Sequence, residues 1–100
     1  MSVYALIELN VVPEKFDEAG DIFHQALKAT REWKGCNGIE VFSNRAESKY
    51  FFVEHFDTED GWKEYFEWRG QESGHILEAI LTAPLKVTFT QRHDFGYGPI

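Results

Sequence analysis

The sequence predicts an α+β domain of ferredoxin-like order: a four-stranded antiparallel sheet with helices on one face. Three observations carry that prediction. Two apolar stretches, 3–11 and 50–56, alternate with a period of two and read as strands; each is flanked by a segment with apolar residues at three- and four-residue steps. The order that results is strand, helix, strand, strand, helix in two pieces, strand, which is the split arrangement that packs helices on one face of a sheet. Finally, the strands are apolar on both faces, so the sheet face opposite the helices also needs a cover. A second copy of the chain is the simplest cover, which makes a homodimer closing into a dimeric α/β barrel the expected assembly.

In the first strand Val3, Ala5, Ile7, Leu9 and Val11 alternate with Tyr4, Leu6, Glu8 and Asn10. Pro13 suits a first helical turn, and Glu14 follows where the helix dipole favours an acid. Phe16, Gly20, Phe23, Leu27 and Thr30 then form the inner stripe of a helix that Gly35 ends. Gly20 is out of place there, since a mid-helix glycine costs ~1 kcal/mol against alanine. It implies either close approach of helix to sheet or room kept for a ligand.

A short strand over 39–43 and the polar turn NRAES lead into the strand around which the chain is organised, KYFFVEHF. Its alternation places Tyr50, Phe52, Glu54 and Phe56 on one face and Phe51, Val53 and His55 on the other. Asp57 or Thr58 can cap the next helix, with Glu59 and Asp60 at its positive end. On that helix Trp62, Tyr65, Phe66 and Arg69 share one face. Arg69-Gly70-Gln71 is expected to break the pattern before a further helical piece over 72–81. Pro84 ends it, and a last strand alternates Leu85, Val87 and Phe89 with Lys86, Thr88 and Thr90. The aromatic tail from Phe95 is too apolar to stand in water and is expected on a partner or over a pocket mouth.

Length and composition bound the function. One hundred residues make one domain, spanning 1–100. Ten basic against 17 acidic side chains give a net charge of −7, which disfavours nucleic acid and anionic membranes as partners. MSVYALIEL carries neither a charged leader nor a cleavage site, and no apolar run could span a bilayer, so the expected location is cytoplasmic. Cys36 is the single cysteine, and the four histidines lack metal-ligand spacing. No metal or other cofactor is expected.

Taken together, the Gly35-Cys36 step, Glu54-His55-Phe56, the capped helix that follows and Ala83-Pro84 before the last strand resemble the antibiotic-biosynthesis-monooxygenase-like family across essentially the whole chain. Glu54-His55-Phe56 stands where that family commonly shows Glu-x-Trp. The resemblance implies a homodimer with a pocket in each subunit between sheet and helices. It also implies oxidation of phenolic or quinol-type substrates by molecular oxygen without a cofactor, although other members degrade heme, isomerise small molecules or have no known reaction. Two departures stand out. Tyr65 occupies the place, eleven residues after the strand glutamate, where many members carry histidine. Of the heme-site residues only His75 falls near its position, Glu8 and Tyr65 replacing the asparagine and tryptophan, so heme degradation is disfavoured.

The catalytic candidates are therefore Tyr65, Glu54, Glu8 and His75, and the side chains expected to contact a small apolar or aromatic ligand are Tyr4, Phe23, Phe52 and Trp62. Tyr65 is either a pocket phenol or a buried tyrosine bonded to a carbonyl. Glu54 is either a general base raised by apolar neighbours or is paired with Arg69, Lys86 or a strand from the partner subunit. His75 lies opposite Ile76, Leu77 and Ile80 on a regular helix, which also fits a solvated histidine. Because the first and third strands are adjacent, Glu8 and Glu54 are expected on one side of the sheet, where both cannot ionise cheaply and one carries a raised pKa. The reading that emerges is a cofactor-free monooxygenase of a small aromatic; the alternative is a non-catalytic dimeric ligand-binding or assembly domain.

Overall fold

A computed structural model of the chain describes residues 2–96. Its elements run β1 (Val3–Asn10), a 3-10 turn (Pro13–Lys15), α1 (Phe16–Arg31), β2 (Cys36–Asn44), β3 (Lys49–Phe56), α2 (Glu59–Ile80) and β4 (Lys86–Thr90). The sheet order is β2-β3-β1-β4, with every neighbouring pair antiparallel. This is the ferredoxin-like arrangement that the element order predicts, with β1 and β3 at the centre.

The core lies between one sheet face and the two helices. From β1 it takes Val3, Ala5, Ile7 and Leu9, from β3 Tyr50, Phe52 and Phe56, and from α1 the stripe Phe16, Ala19, Phe23, Leu27. Gly20 belongs to that stripe because of close approach. A Cβ there would sit 2.6 Å from the Tyr50 hydroxyl, which itself donates to the Phe16 carbonyl at 2.9 Å.

Two details differ from the sequence expectation, and one choice it left open is decided. Strand β2 is longer than 39–43, beginning at Cys36 with a register shift at Gly38, whose φ of 155° a side chain would resist. Helix α2 runs through Arg69-Gly70-Gln71 and loses helical geometry only at Ser73 (φ −144°). There the Ser73 hydroxyl bonds back to the Arg69 carbonyl at 3.3 Å, a contact that bends helices, whereas Gly70 stays helical in an open position. The cap of α2 is Thr58, whose hydroxyl accepts from the Gly61 N–H; Asp57 instead accepts from the Asn37 side chain.

The second sheet face carries Tyr4, Leu6 and Glu8 from β1, Phe51, Val53 and His55 from β3, and Phe42 from β2. Within one chain Leu6 is 41% and Phe42 53% exposed. Tyr4 and His55 stack at 4.1 Å, and His55 Nε2 is buried without a hydrogen-bond partner. Phe95 is 83% exposed and stacks on His93, so it does not pack over the core of its own chain; residues 97–100, the rest of the expected tail contact, lie outside the described residues.

Candidate functional site

Between α1, α2 and the core face of the sheet lies a cavity of about 360 Å³. Most of its wall is apolar, with Phe23, Leu27, Phe52, Phe66 and Leu77 among the lining side chains; its polar members include Glu54, Tyr65 and Arg69.

Glu54 reaches it because β3 alternates. It lies between Phe52 and Phe56 on the core face and is paired in register with Ala5 on one side and Ile39 on the other, so the sheet offers its side chain no polar neighbour. It is 1% exposed, and its recorded hydrogen bond is from Trp62 Nε1 to Oε1 at 2.7 Å. Burial pushes its carboxyl up to about 7, against the opposing pull of the Trp62 bond and the Arg69 charge.

The other polar cluster is helical. Tyr65 and Arg69, four residues apart on α2, meet Thr30 from the last turn of α1. The Tyr65 and Thr30 hydroxyl oxygens are 2.6 Å apart. Arg69 Nε donates to the Tyr65 hydroxyl at 3.2 Å, and Nη2 donates to Thr30 Oγ1 at 2.9 Å and to the Ala26 carbonyl at 2.8 Å. Burial and then the nearby Glu54 charge raise the Tyr65 phenol, while Thr30 and Arg69 pull it down. A phenol, a guanidinium and a carboxylate that titrates near neutrality thus share one aromatic cavity.

Residues 2–76 match the family described as antibiotic biosynthesis monooxygenase. The chain belongs to that family. No curated protein matches the sequence. Among solved structures, a conserved protein from Methanosarcina mazei superposes with a TM-score of 0.79 at 15% identity, covering 93% of this chain and 94% of that one. A protein named antibiotic biosynthesis monooxygenase gives 0.78 at 12% identity over 91% and 98%. A protein from Mycobacterium tuberculosis gives 0.72 at 16% over 94% and 97%. At these identities the likeness is one of fold.

Of the side chains singled out from the sequence of this family member, Glu54, Tyr65, Phe23 and Phe52 border the cavity. Trp62 stands behind Glu54, stacked on Phe66 at 4.7 Å, and acts on the carboxylate rather than on the cavity wall. Glu8 and Tyr4 correct the sequence expectation. Ala5 and Glu54 are directly paired, so Glu8, an odd step from Ala5, points to the opposite sheet face, where Lys49 lies 3.6 Å away. Glu8 and Glu54 therefore share no proton. Tyr4 follows the same parity and stacks on His55. His75 is exposed on the part of α2 beyond Ser73, while its neighbours Ile76 and Leu77 border the cavity.

Arg69 and Thr30 are site residues that sequence reasoning did not put forward as such. The signal was present: an arginine on the apolar stripe of α2 and a threonine closing the stripe of α1. Neither stripe reveals that its polar member meets the other.

Proposed function

We propose that this protein is a cofactor-independent monooxygenase of a small quinol- or phenol-type aromatic, acting as a homodimer in the cytoplasm. The observation that carries the reading is Glu54: a buried carboxylate poised at about 7 on the wall of an aromatic cavity that also holds a phenol. In this scheme Glu54 takes the phenolic proton. The charge delocalises to a ring carbon, which gives its electrons to molecular oxygen and forms a hydroperoxide. The proton returned from Glu54 completes that hydroperoxide; loss of the hydrogen on the same carbon and cleavage of the O–O bond then release water and leave a carbonyl. One oxygen atom ends in product and one in water, and all four electrons come from the substrate. The apolar wall serves by keeping bulk water from the carbanion.

The homodimer rests on the second sheet face. Leu6 and Phe42 are exposed there beside Phe51 and Val53, and a second copy would cover them. No helix among the described residues is long and apolar enough to cross a membrane.

One observation favours the second reading, a ligand-binding or assembly domain without chemistry. The Tyr65 hydroxyl is already held by Thr30 and Arg69, as in a structural tyrosine. Oxygen-electrode assays against a hydroquinone panel separate the two. Uptake above the protein-free rate that drops about 100-fold or more in Glu54→Gln supports the oxygenase. Uptake indifferent to Glu54→Gln, or none with any quinol, rejects it.

A further inference from the structure

The guanidinium of Arg69 is the least explained group in the molecule. It is 8% exposed, and among the described residues it forms no ion pair; the recorded pairs belong to Arg45, Lys49 and Lys63. Glu54 lies beyond ion-pair distance and is engaged by Trp62. A buried cation with no counter-charge in contact is costly; the Trp68 ring 4.8 Å from the guanidinium and the more distant Glu54 charge offset that cost only in part.

The bonds around Arg69 also fix what it can offer. Nε and Nη2 are occupied by Tyr65, Thr30 and the Ala26 carbonyl, which leaves Nη1 without a partner among the described residues. Nη1 is not sealed in, since the one buried side-chain nitrogen or oxygen without a partner among the described residues is His55 Nε2. Proton counting adds a second donor. Thr30 and Tyr65 have two hydroxyl protons and one contact between them. Thr30 is fully buried, so if Tyr65 donated to it the threonine proton would be left without an acceptor. With Thr30 donating, the idle proton is that of Tyr65, which borders the cavity. The free donors are then Nη1 and the Tyr65 hydroxyl. The fork of Nε and Nη2 that grips a carboxylate in parallel is already in use.

We propose that Arg69 and Tyr65 form a receptor for a single ring-bound oxygen anion, so that the cavity holds its aromatic ligand as the phenolate or enolate. The proposal rests on the reading of this cavity as the ligand site, and it names the form in which the ligand is bound. Arg69 thereby supplies the counter-charge for the anion that remains when a phenolic proton leaves.

Titration with 4-nitrophenol tests this directly, because its phenolate absorbs in the visible and its neutral form does not. At a pH where the free dye is mostly protonated, the wild-type protein is expected to bind it as phenolate, at least ten-fold more tightly than the neutral ether 4-nitroanisole. Arg69→Gln is expected to abolish that preference, and Tyr65→Phe to weaken it several-fold with Arg69 still in place. Circular dichroism checks that each variant folds; should Arg69→Gln not fold, the wild-type spectrum decides. A neutral bound dye, a preference unchanged in a folded Arg69→Gln, tighter binding of 4-nitrobenzoate than of 4-nitrophenol, or no binding of any dye at millimolar concentration would each overturn the receptor. Phenolate binding without oxygen uptake from any quinol would reject the oxygenase and leave the receptor standing.

Discussion

Trp62 Nε1 donates to Glu54 Oε1 at 2.7 Å, joining the first turns of α2 to the middle of β3 within the core. The bond favours the charged carboxylate and so opposes the effect of burial. Trp62→Phe keeps an aromatic ring but removes this donor. The acid limb of any Glu54-dependent pH–rate profile is then expected to move to higher pH. A profile of kcat/KM for wild type and variant checks it, and an unmoved limb would show that Glu54 is not the titrating base.

Stability should follow the same carboxylate. The folded-state value of about 7 lies above the ordinary 4.5, so the folded protein binds this proton more tightly than the unfolded chain. The contribution is fully present below about 4.5 and is lost as pH rises through about 7, amounting to roughly 3 kcal/mol at one-and-a-third kcal/mol per pH unit. Glu54→Gln, which can still accept from Trp62, is expected to flatten this part of the profile and to melt higher than wild type at pH 8. Thermal melts from pH 4 to 9 on both proteins measure it.

Gly20→Ala should invert the usual helix rule. Alanine ordinarily gains about 1 kcal/mol over glycine inside a helix. Here its Cβ would meet the Tyr50 hydroxyl at 2.6 Å, and overpacking of this kind costs about 1–3 kcal/mol. Denaturant titration is expected to show net destabilisation. In a Tyr50→Phe background the same substitution should become neutral or favourable, because the obstructing oxygen is gone.

The open sheet face should hold the second copy. Sedimentation at micromolar concentration is expected to give a dimer, whose interface should bury more than ~2,000 Å² in total. Val53→Asp, a charge placed among Leu6, Phe42 and Phe51, is expected to shift it to monomer while leaving the cavity residues on the other face intact. A wild-type monomer at that concentration would sink the interface and the barrel together.

What the sequence determined by itself was everything that depends on period. Alternation in 3–11 and 50–56 and the three- and four-step stripes of the helices gave the element types, their order and the faces on which Glu54, Tyr65 and Arg69 lie. Periodicity is local, because each side chain's direction follows from its own backbone. Register between distant strands is not local. The pairing of Ala5 with Glu54 sends Glu8 to the far face, and no pattern within β1 or β3 alone could have said so. The break in α2 likewise falls at Ser73, whose hydroxyl bonds back to the Arg69 carbonyl, and not at Gly70, which stays helical. The same holds for the site. Thr30, Tyr65 and Arg69 form one bonded cluster only because α1 and α2 lie side by side on the sheet, a contact across 35 and 39 residues of sequence that packing alone creates.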